Sequence, residues 1–306
     1  MRRILLWAAR NRWLREHLSR AWFVRRAVRR FMPGEELSDA LRAADAHASS
    51  GIGSVFTLLG ENLSAIEEAE RVAAHYHEVL DAITARGLRG EISVKLTQLG
   101  LDIDPGATFR LLEELVAHAR RTGETVWVDM EGSAYTDATV DLYERAVRAN
   151  QNVGLCLQAY LHRTPADVDR LLPLGPSIRL VKGAYDEPAE IAIRGSADVD
   201  QVFRDIGERL VDALATDSAR RVILGTHDTT LIDALARHAT AKGVDRSRLE
   251  IQMLYGIRAD EQRRLAAEGF DVRCLIAYGS YWYPWYMRRL AERPANVLFA
   301  LRQLLP

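Results

Sequence analysis

Polar and charged side chains recur where a series of short apolar runs ends. These residues are Lys95, Asp129, Glu131, Gln158, Tyr160, Arg179, Lys182, Tyr185, Thr226, His227 and Asp228. An unpaired charge buried in a protein costs several kcal/mol, so we expect these side chains to pair with one another or with a ligand. Amines, guanidinium groups and carboxylates gathered in this way can bind an anionic substrate and stabilise the charge that develops during a reaction. Their recurrence predicts an active site.

Lysine is rare in this chain, with three lysines against 38 arginines, and two of the three are Lys95 and Lys182. This usage indicates that an amine is needed at these positions, because a guanidinium would serve equally well as a general cation. An amine can also form a Schiff base with a carbonyl substrate. A barrel aldolase or Schiff-base lyase therefore stays open as an alternative function.

A second candidate site lies near the C-terminus, where Arg288 and Arg289 precede Glu292 by four and three residues. On a helix this spacing lets Glu292 hold both guanidinium groups, whose remaining N–H donors suit a carboxylate. A surface pair with a local salt bridge is the alternative. Six aromatic rings within residues 278–286 favour a pocket lid for a planar, partly apolar ligand.

The elements that must position these residues alternate along the chain. Eight short apolar runs are typical of buried parallel strands: Ser54–Leu59, Ile92–Leu96, Thr125–Met130, Val153–Gln158, Ile178–Lys182, Arg221–Gly225, Leu249–Met253 and Asp271–Ala277. Helical segments separate them, one of which opens at Asp104-Pro105 with a capping carboxylate. Eight such units predict a (β/α)8 barrel, an α/β fold whose active site lies at the C-terminal ends of the strands. A doubly wound open sheet is the alternative, although no Gly-x-Gly-x-x-Gly turn supports it.

Composition excludes several classes of protein. The chain has 306 residues, of which 48% are hydrophobic and 27% charged, which excludes disordered, collagen-like and multi-span membrane proteins. A net charge of −1 gives no overall attraction to nucleic acid. Cys156 and Cys274 are too few for a disulfide scaffold or a metal cluster, so no metal site is expected, and they suit a reducing cytoplasm.

Residues 1–30 differ from the rest because they contain ten arginines and one acid, Glu16. Trp7, Leu14 and Trp22 share a helical period, which is typical of a basic amphipathic helix on an anionic membrane. A helical arm packed on its own domain is the alternative, and nucleic-acid binding is a weaker third. The segment is neither a convincing signal peptide nor long enough in apolar residues to span a bilayer.

Six motifs in order resemble the proline dehydrogenase family, specifically its monofunctional bacterial type. They are Ser-Val-Lys-Leu-Thr-Gln-Leu-Gly (93–100), Val-Asp-Met-Glu (128–131), Leu-Gln-Ala-Tyr-Leu (157–161), Arg-Leu-Val-Lys-Gly-Ala-Tyr (179–185), Gly-Thr-His-Asp (225–228) and the segment Trp-Tyr-Pro to Glu-Arg-Pro (282–294). The resemblance runs from about residue 52 to the C-terminus. It implies a distorted barrel over residues 33–306, preceded by the helical arm 1–32 and closed by a C-terminal helix over the mouth.

The resemblance also implies a reaction and its cofactor. Non-covalent FAD would accept a hydride from L-proline, giving Δ1-pyrroline-5-carboxylate, and the electrons would pass to a membrane quinone. The protein would be cytoplasmic, with peripheral contact to the inner face of the cell membrane through residues 1–30. A non-catalytic membrane-binding scaffold is a further alternative.

The family's roles transfer to particular residues of this chain. Arg288 and Arg289 would bind the substrate carboxylate, with Lys95 as a third cation and Glu292 as support. Asp129 would balance this charge, Arg179 would lie near the flavin N5, and Tyr185 would pack near the substrate ring. The residues that would line the FAD, besides Arg179, are Met130, Gln158, Lys182, Gly183, Ala184, Thr226 and His227.

One position departs from the family. Members commonly carry a tyrosine on the eighth strand that packs against the proline ring, and Leu275 stands in its place here. Leucine keeps the apolar contact but loses the hydroxyl and the ring plane. Hydroxyproline or another cyclic amino acid therefore stays open as the substrate, with the chemistry unchanged.

Overall fold

Eight parallel strands form a closed barrel in chain order, with β1 paired to β8. The computed structural model describes residues 11, 24, 26, 28–60 and 63–292, except the side chains of residues 288, 289, 291 and 292. The strands are β1 (Gly53–Leu58), β2 (Gly90–Val94), β3 (Val126–Val128), β4 (Val153–Gln158), β5 (Ser177–Val181), β6 (Arg221–Gly225), β7 (Leu249–Leu254) and β8 (Asp271–Tyr278). The predicted (β/α)8 barrel is confirmed, and the open-sheet alternative is wrong.

Helices surround the barrel and connect its strands. They are α1 (Leu37–Ala48), α2 (Ile66–Ala85), α3 (Pro105–Thr122), α4 (Thr136–Ala149), α5 (Thr164–Leu171), α6 (Ser196–Ala215), α7 (Thr229–Ala241), α8 (Ala259–Ala267) and α9 (Trp282–Glu292). The N-terminus of α3 forms as its sequence predicts, because Asp104 accepts hydrogen bonds from the backbone N–H groups of Gly106 and Ala107 at 2.8 and 3.0 Å.

Helix α3 shows why these segments pack as they do. Leu112, Leu115, Val116 and Ala119 recur at helical spacing and are all buried against the barrel. Strands β3 and β4 are buried on both faces, which explains their nearly continuous apolar sequences. Within the described part of the chain, no helix is both long enough and apolar enough to cross a membrane.

Two strands end one residue before a lysine. β2 ends at Val94 and β5 at Val181, so Lys95 and Lys182 begin the loops at the C-terminal face. After Lys95 the chain turns into a 3₁₀ helix, Leu96–Leu99, in which Gln98 N–H donates to the Lys95 carbonyl at 3.1 Å. This tight turn ends the strand sooner than the apolar pattern of Ile92–Leu96 predicts. The predicted strand Thr125–Met130 is likewise shorter, at Val126–Val128.

A buried ion network fills the N-terminal end of the barrel. Arg221 contacts Glu91 at 2.6 Å and Glu250 at 2.5 Å, and Arg273 lies 3.4 and 3.3 Å from the same two carboxylates. Trp127 adds an indole N–H bond to Glu91 at 2.7 Å. Because two cations and two anions share these contacts, each buried charge has opposite charges beside it.

The chain before α1 packs on the last helix. Val28, Phe31 and Met32 form an apolar cluster with Trp282 and other residues of α9, and the Trp282 indole N–H donates to Glu35 at 3.1 Å. The loop after β7 fits tightly against this segment, because a Cβ at Gly256, whose φ is +72°, would overlap the Arg30 carbonyl. Most of the predicted arm 1–32 lies outside the described residues.

Candidate active site

Arg179 on β5 is the buried centre of the candidate site. Its side chain is only 3% exposed, and from inside the barrel it reaches β2, β7 and the residue that follows β3. It forms an ion pair with Asp129 and donates to Ser93 Oγ at 2.8 Å and to Gln252 Oε1 at 3.0 Å. Burial is the largest single influence on the pKa of Arg179 and would lower it. Asp129, Cys156 and Glu250 together outweigh burial and raise this pKa above its ordinary value. The guanidinium is therefore a fixed positive charge.

Asp129 lies between Arg179 and Lys95, just after β3. One carboxylate oxygen accepts from Ser93 at 2.9 Å and from Arg179, while the other lies 4.0 Å from Lys95 Nζ. The carboxylate is 19% exposed and the lysine 12%, so both reach the opening of the barrel. The predicted pairing of strand-end charges is therefore present, and the two cations exceed the one anion.

A second set of contacts joins the end of β4 to the loops after β2, β3 and β5. Glu131 accepts from the Thr97 hydroxyl at 2.7 Å and from the Thr97 backbone N–H at 3.1 Å. The Gln158 amide donates to the Glu131 carbonyl at 2.9 Å and accepts from the Ala184 N–H at 3.0 Å. The buried amide of Gln158 thus joins the loop after β3 to the loop after β5.

Lys182 follows β5 and Lys95 follows β2, so the two lysines are three strands apart around the mouth of the barrel. The Lys182 amine contacts Asp200 at 2.5 Å and Asp228 at 2.9 Å, and its side chain is 32% exposed. Burial opposes the effect, but the hydrogen bond from Lys182 lowers the pKa of Asp228. Thr226 Oγ1 accepts from the Asp228 N–H at 3.2 Å, and His227 Nε2 accepts from the Leu254 N–H at 3.5 Å.

The loop after β5 depends on glycine. Gly183 has φ +135°, and a Cβ there would overlap the Tyr160 ring. The Tyr160 hydroxyl donates to the Tyr185 carbonyl at 3.3 Å, which holds the next part of the loop against the end of β4. The sequence Lys-Gly-Ala-Tyr therefore crosses the mouth in a conformation that a larger residue at 183 would prevent.

The apolar side of the interior contains Leu275. This half-buried residue of β8 packs against Val55, Trp127 and Ile223, which belong to three other strands. Leu275 therefore faces into the barrel, as its predicted place beside the substrate requires. Met130 is buried after β3 within the main core.

Two neutral partners of Arg179, Ser93 and Gln252, are not predicted as site residues from the sequence. Ser93 was part of a motif without a role, and Gln252 lay in the run Leu-Glu-Ile-Gln-Met. A signal existed for the second, since Glu250 and Gln252 alternate with apolar residues and so share the interior face of β7. Gln252 Nε2 also donates to Glu250 at 2.7 Å, which joins the site to the ion network below.

The predicted carboxylate clamp lies on α9, whose backbone follows β8 at the mouth. The side chains of Arg288, Arg289 and Glu292 lie outside the described residues, so their proposed roles stay predictions. Both cysteines are buried free thiols, and burial raises the pKa of each. Among the side chains described, no group of three or more His, Cys, Asp or Glu is arranged to hold a metal ion.

Known proteins resemble this chain over nearly its whole length. It matches the proline dehydrogenase family over residues 40–302. It is 32% identical over 305 residues to proline dehydrogenase 1 of Bacillus subtilis strain 168, covering 100% of this chain and 99% of the relative. It is 35% identical over 281 residues to proline dehydrogenase of Deinococcus radiodurans, covering 90% and 89%.

A solved structure shares the fold. The crystal structure of proline utilization A (PutA) from Bdellovibrio bacteriovorus inactivated by N-propargylglycine superposes with a TM-score of 0.82 at 19% identity. The match covers 95% of this chain and 38% of that longer chain. The family match and the full-length relatives carry the assignment: the chain belongs to the proline dehydrogenase family and is an oxidoreductase of proline catabolism.

Proposed function

We propose that this protein oxidises L-proline to Δ1-pyrroline-5-carboxylate with non-covalent FAD as the first acceptor and a membrane quinone as the next. The observation that carries the proposal is the buried Arg179, held by Asp129, Ser93 and Gln252 directly below the mouth of the barrel. A fixed cation in a site of low polarity stabilises negative charge that develops during a reduction. Family membership supports proline oxidation, and the flavin and the quinone are the further step.

The side chains at the mouth fit a flavin dinucleotide. Lys182 has a partly exposed amine that would bind a phosphate in place of Asp200 or Asp228. Gln158, whose amide already bonds to Glu131 and Ala184, would hold the backbone around the polar edge of a ring system. Met130, after β3, and Leu275, in the barrel interior, are apolar. The residues that would hold the group are Met130, Gln158, Arg179, Lys182, Gly183, Ala184, Thr226 and His227. When bound, FAD supplies two-electron acceptance.

The substrate would bind between cations. Lys95, Arg288 and Arg289 would bind its carboxylate, Glu292 would hold the arginines, and Tyr185 would pack near the ring. Asp129 balances the charge of Lys95 and Arg179 while leaving a net positive site. This excess disfavours a further cation, so the ring amine would bind in its neutral form and would require no general base. The C–H next to the nitrogen would leave as a hydride, which bound FAD would accept, and this would form a protonated C=N bond. The N–H proton would then pass to solvent water.

The Schiff-base alternative receives no support from these contacts. Lys182 is engaged with two carboxylates, Asp200 and Asp228, and Lys95 faces Asp129. The relatives are named for dehydrogenation, which a scaffold without catalytic activity would not perform. Leu275 favours a second substrate, hydroxyproline or another cyclic amino acid, because it occupies the interior with less bulk than a tyrosine.

A spectrum tests the cofactor directly. The purified protein should absorb as a flavoprotein, and acid precipitation should release FAD into the supernatant. Flavin retained in the pellet would contradict non-covalent binding. Absence of flavin after reconstitution with FAD would refute this part of the proposal, while proline oxidation with another acceptor would still be measurable.

Two arginine variants test the clamp. Arg288→Met and Arg289→Met should each raise KM for proline about tenfold or more, since a charged hydrogen bond contributes about 1.5–3 kcal/mol. FAD content should change little. Arg263→Met is the matched control, because Arg263 pairs with Asp260 on exposed α8. A KM unchanged in both clamp variants would place the carboxylate elsewhere.

We further propose that the protein is cytoplasmic and contacts the inner face of the cell membrane through residues 1–30. The ten arginines of this segment would attract an anionic leaflet, and reduced flavin would then lie near a lipid-soluble acceptor. Residues 28–32 also contribute to the barrel, since Val28, Phe31 and Met32 pack against α9. The membrane contact would therefore come from the part of the segment that precedes them.

A further inference from the structure

We propose that Ser93 and Gln252 are positioning residues that fix the guanidinium of Arg179 and keep its charge only partly neutralised. The inference rests on the proposed function, in which this guanidinium faces the flavin. Both residues are buried in the barrel interior, with Ser93 0% and Gln252 3% exposed. Their contacts to Arg179 come from β2 and β7, on different sides of the barrel interior.

The chemistry of the partners fixes the orientation of the Gln252 amide. Arg179 has only donors, so it must face the amide oxygen, which lies 3.0 Å from it. Glu250 accepts from the amide nitrogen at 2.7 Å. The amide oxygen therefore faces the cation and the amide nitrogen faces the anion. A flipped amide would place its N–H donors against those of Arg179 and its oxygen against the Glu250 carboxylate.

Ser93 is constrained in the same way. Its hydroxyl donates to Asp129 at 2.9 Å, which leaves the oxygen lone pairs to accept from Arg179 at 2.8 Å. The serine thus fixes the distance between the cation and its single carboxylate partner. Together with Gln252 it restrains both terminal nitrogens of the guanidinium, one from each side.

Neutral partners have an electrostatic consequence. The guanidinium donates hydrogen bonds to Ser93, Gln252 and Asp129, and of these three partners only Asp129 carries a negative charge. Gln252 separates Arg179 from the next carboxylate, Glu250, by the length of one amide. The positive potential of Arg179 is consequently preserved toward the mouth, where it would favour electron acceptance by the flavin.

Three substitutions test the inference in the FAD-loaded protein. Gln252→Met removes both hydrogen bonds of the amide and keeps a side chain of similar length. Ser93→Ala removes only a hydroxyl and is the second test if the first variant folds poorly. Gln262→Met is the matched control, because Gln262 is a buried glutamine of α8 that also donates two hydrogen bonds, to Leu254 and Ile257, outside the barrel interior.

The measurements are the flavin reduction potential, kcat, KM for proline and Tm. We expect Gln252→Met and Ser93→Ala to lower the equilibrium constant for flavin reduction about tenfold. For a two-electron couple this corresponds to a reduction potential lower by about 30 mV. kcat should fall about tenfold with KM within twofold of the unsubstituted protein. Gln262→Met should lower Tm alone.

The outcomes distinguish a failure of the roles of Ser93 and Gln252 from a failure of the proposed function. If both test variants lose only Tm, as the control does, Ser93 and Gln252 are structural and the inference is wrong. Arg179→Met serves as the reference. If it leaves the potential unchanged, the proposed role of Arg179 beside the flavin fails first, independently of its neighbours.

Discussion

Replacing Asp129 with asparagine should destabilise the protein, because it leaves the buried charge of Arg179 without its carboxylate partner. The substitution keeps an acceptor for Ser93 and Arg179 but removes the carboxylate charge that pairs with a guanidinium only 3% exposed. Removing one partner of a buried ion pair costs about 3–5 kcal/mol. Because Asp129 is 19% exposed and one acceptor remains, we expect the lower limit, about 3 kcal/mol.

Thermal unfolding measures this loss. With an unfolding entropy of about 2.1 cal/mol/K per residue over 306 residues, a loss of about 3 kcal/mol should lower Tm by about 5 °C. Asp167→Asn is the matched control, because Asp167 is also buried but pairs with Arg163, which is a third exposed and keeps Asp137 as a partner. The control should lose far less, since solvent screens its arginine.

A double variant identifies the cause. Asp129→Asn combined with Arg179→Met should be more stable than Asp129→Asn alone, because no uncompensated charge stays buried. The reasoning is refuted if Asp129→Asn and Asp167→Asn lose equal stability, or if removing Arg179 brings no recovery. In either case the carboxylate would not be what holds the cation in place.

Three further predictions concern substrate choice, pH and the membrane. Leu275→Tyr should raise kcat/KM for L-proline relative to 4-hydroxyproline about tenfold, within the 1–3 kcal/mol that one pocket contact contributes; an unmoved ratio would show that Leu275 does not face the substrate. Burial, helped by Glu91, raises the pKa of Glu124 to about 7, so its ionisation destabilises the fold as the pH rises from about 4.5. Glu124→Gln should accordingly raise Tm at pH 8 and not at pH 4, and equal gains at both values would contradict this cause. Deleting residues 1–20, which spares the packed Val28, should weaken salt-sensitive co-sedimentation with anionic vesicles while dye-linked turnover persists; a joint loss of Tm and turnover, with vesicle binding unchanged, would show a structural arm.

The barrel was predictable because each strand and helix carries its own local signal. Buried parallel strands read as short apolar runs, and Asp104-Pro105 specifies a helix start from two residues. Strand ends were less accurate. The apolar pattern continues through Lys95 into Leu96, whereas the backbone turns at Lys95 to form a 3₁₀ helix. Hydrophobicity cannot report that turn, since Leu96 is buried in either conformation.

The site was predictable where charge made it conspicuous. Asp129 and Arg179 stood out because buried charges need partners, and their ion pair is observed. Ser93 and Gln252 carry no charge, and Gln252 lies 73 positions from Arg179 along the chain. Their role depends on which strands meet across the barrel interior, a relation that follows from closure of the sheet and from no local pattern.

Closure of the sheet also sets an order of events during synthesis. β1 can complete its pairing only after β8 has been made, roughly 200 residues later, and the Trp282 bond to Glu35 joins residues 247 positions apart. At about 5–20 residues per second, the edge of β1 is unpaired for on the order of 10–40 s. Its sequence Gly-Ser-Val-Phe-Thr-Leu contains no charge and no proline to protect that edge. Chains that stop before residue 271 therefore keep two open edges, and they should be captured by chaperones or aggregate instead of accumulating as a smaller folded barrel.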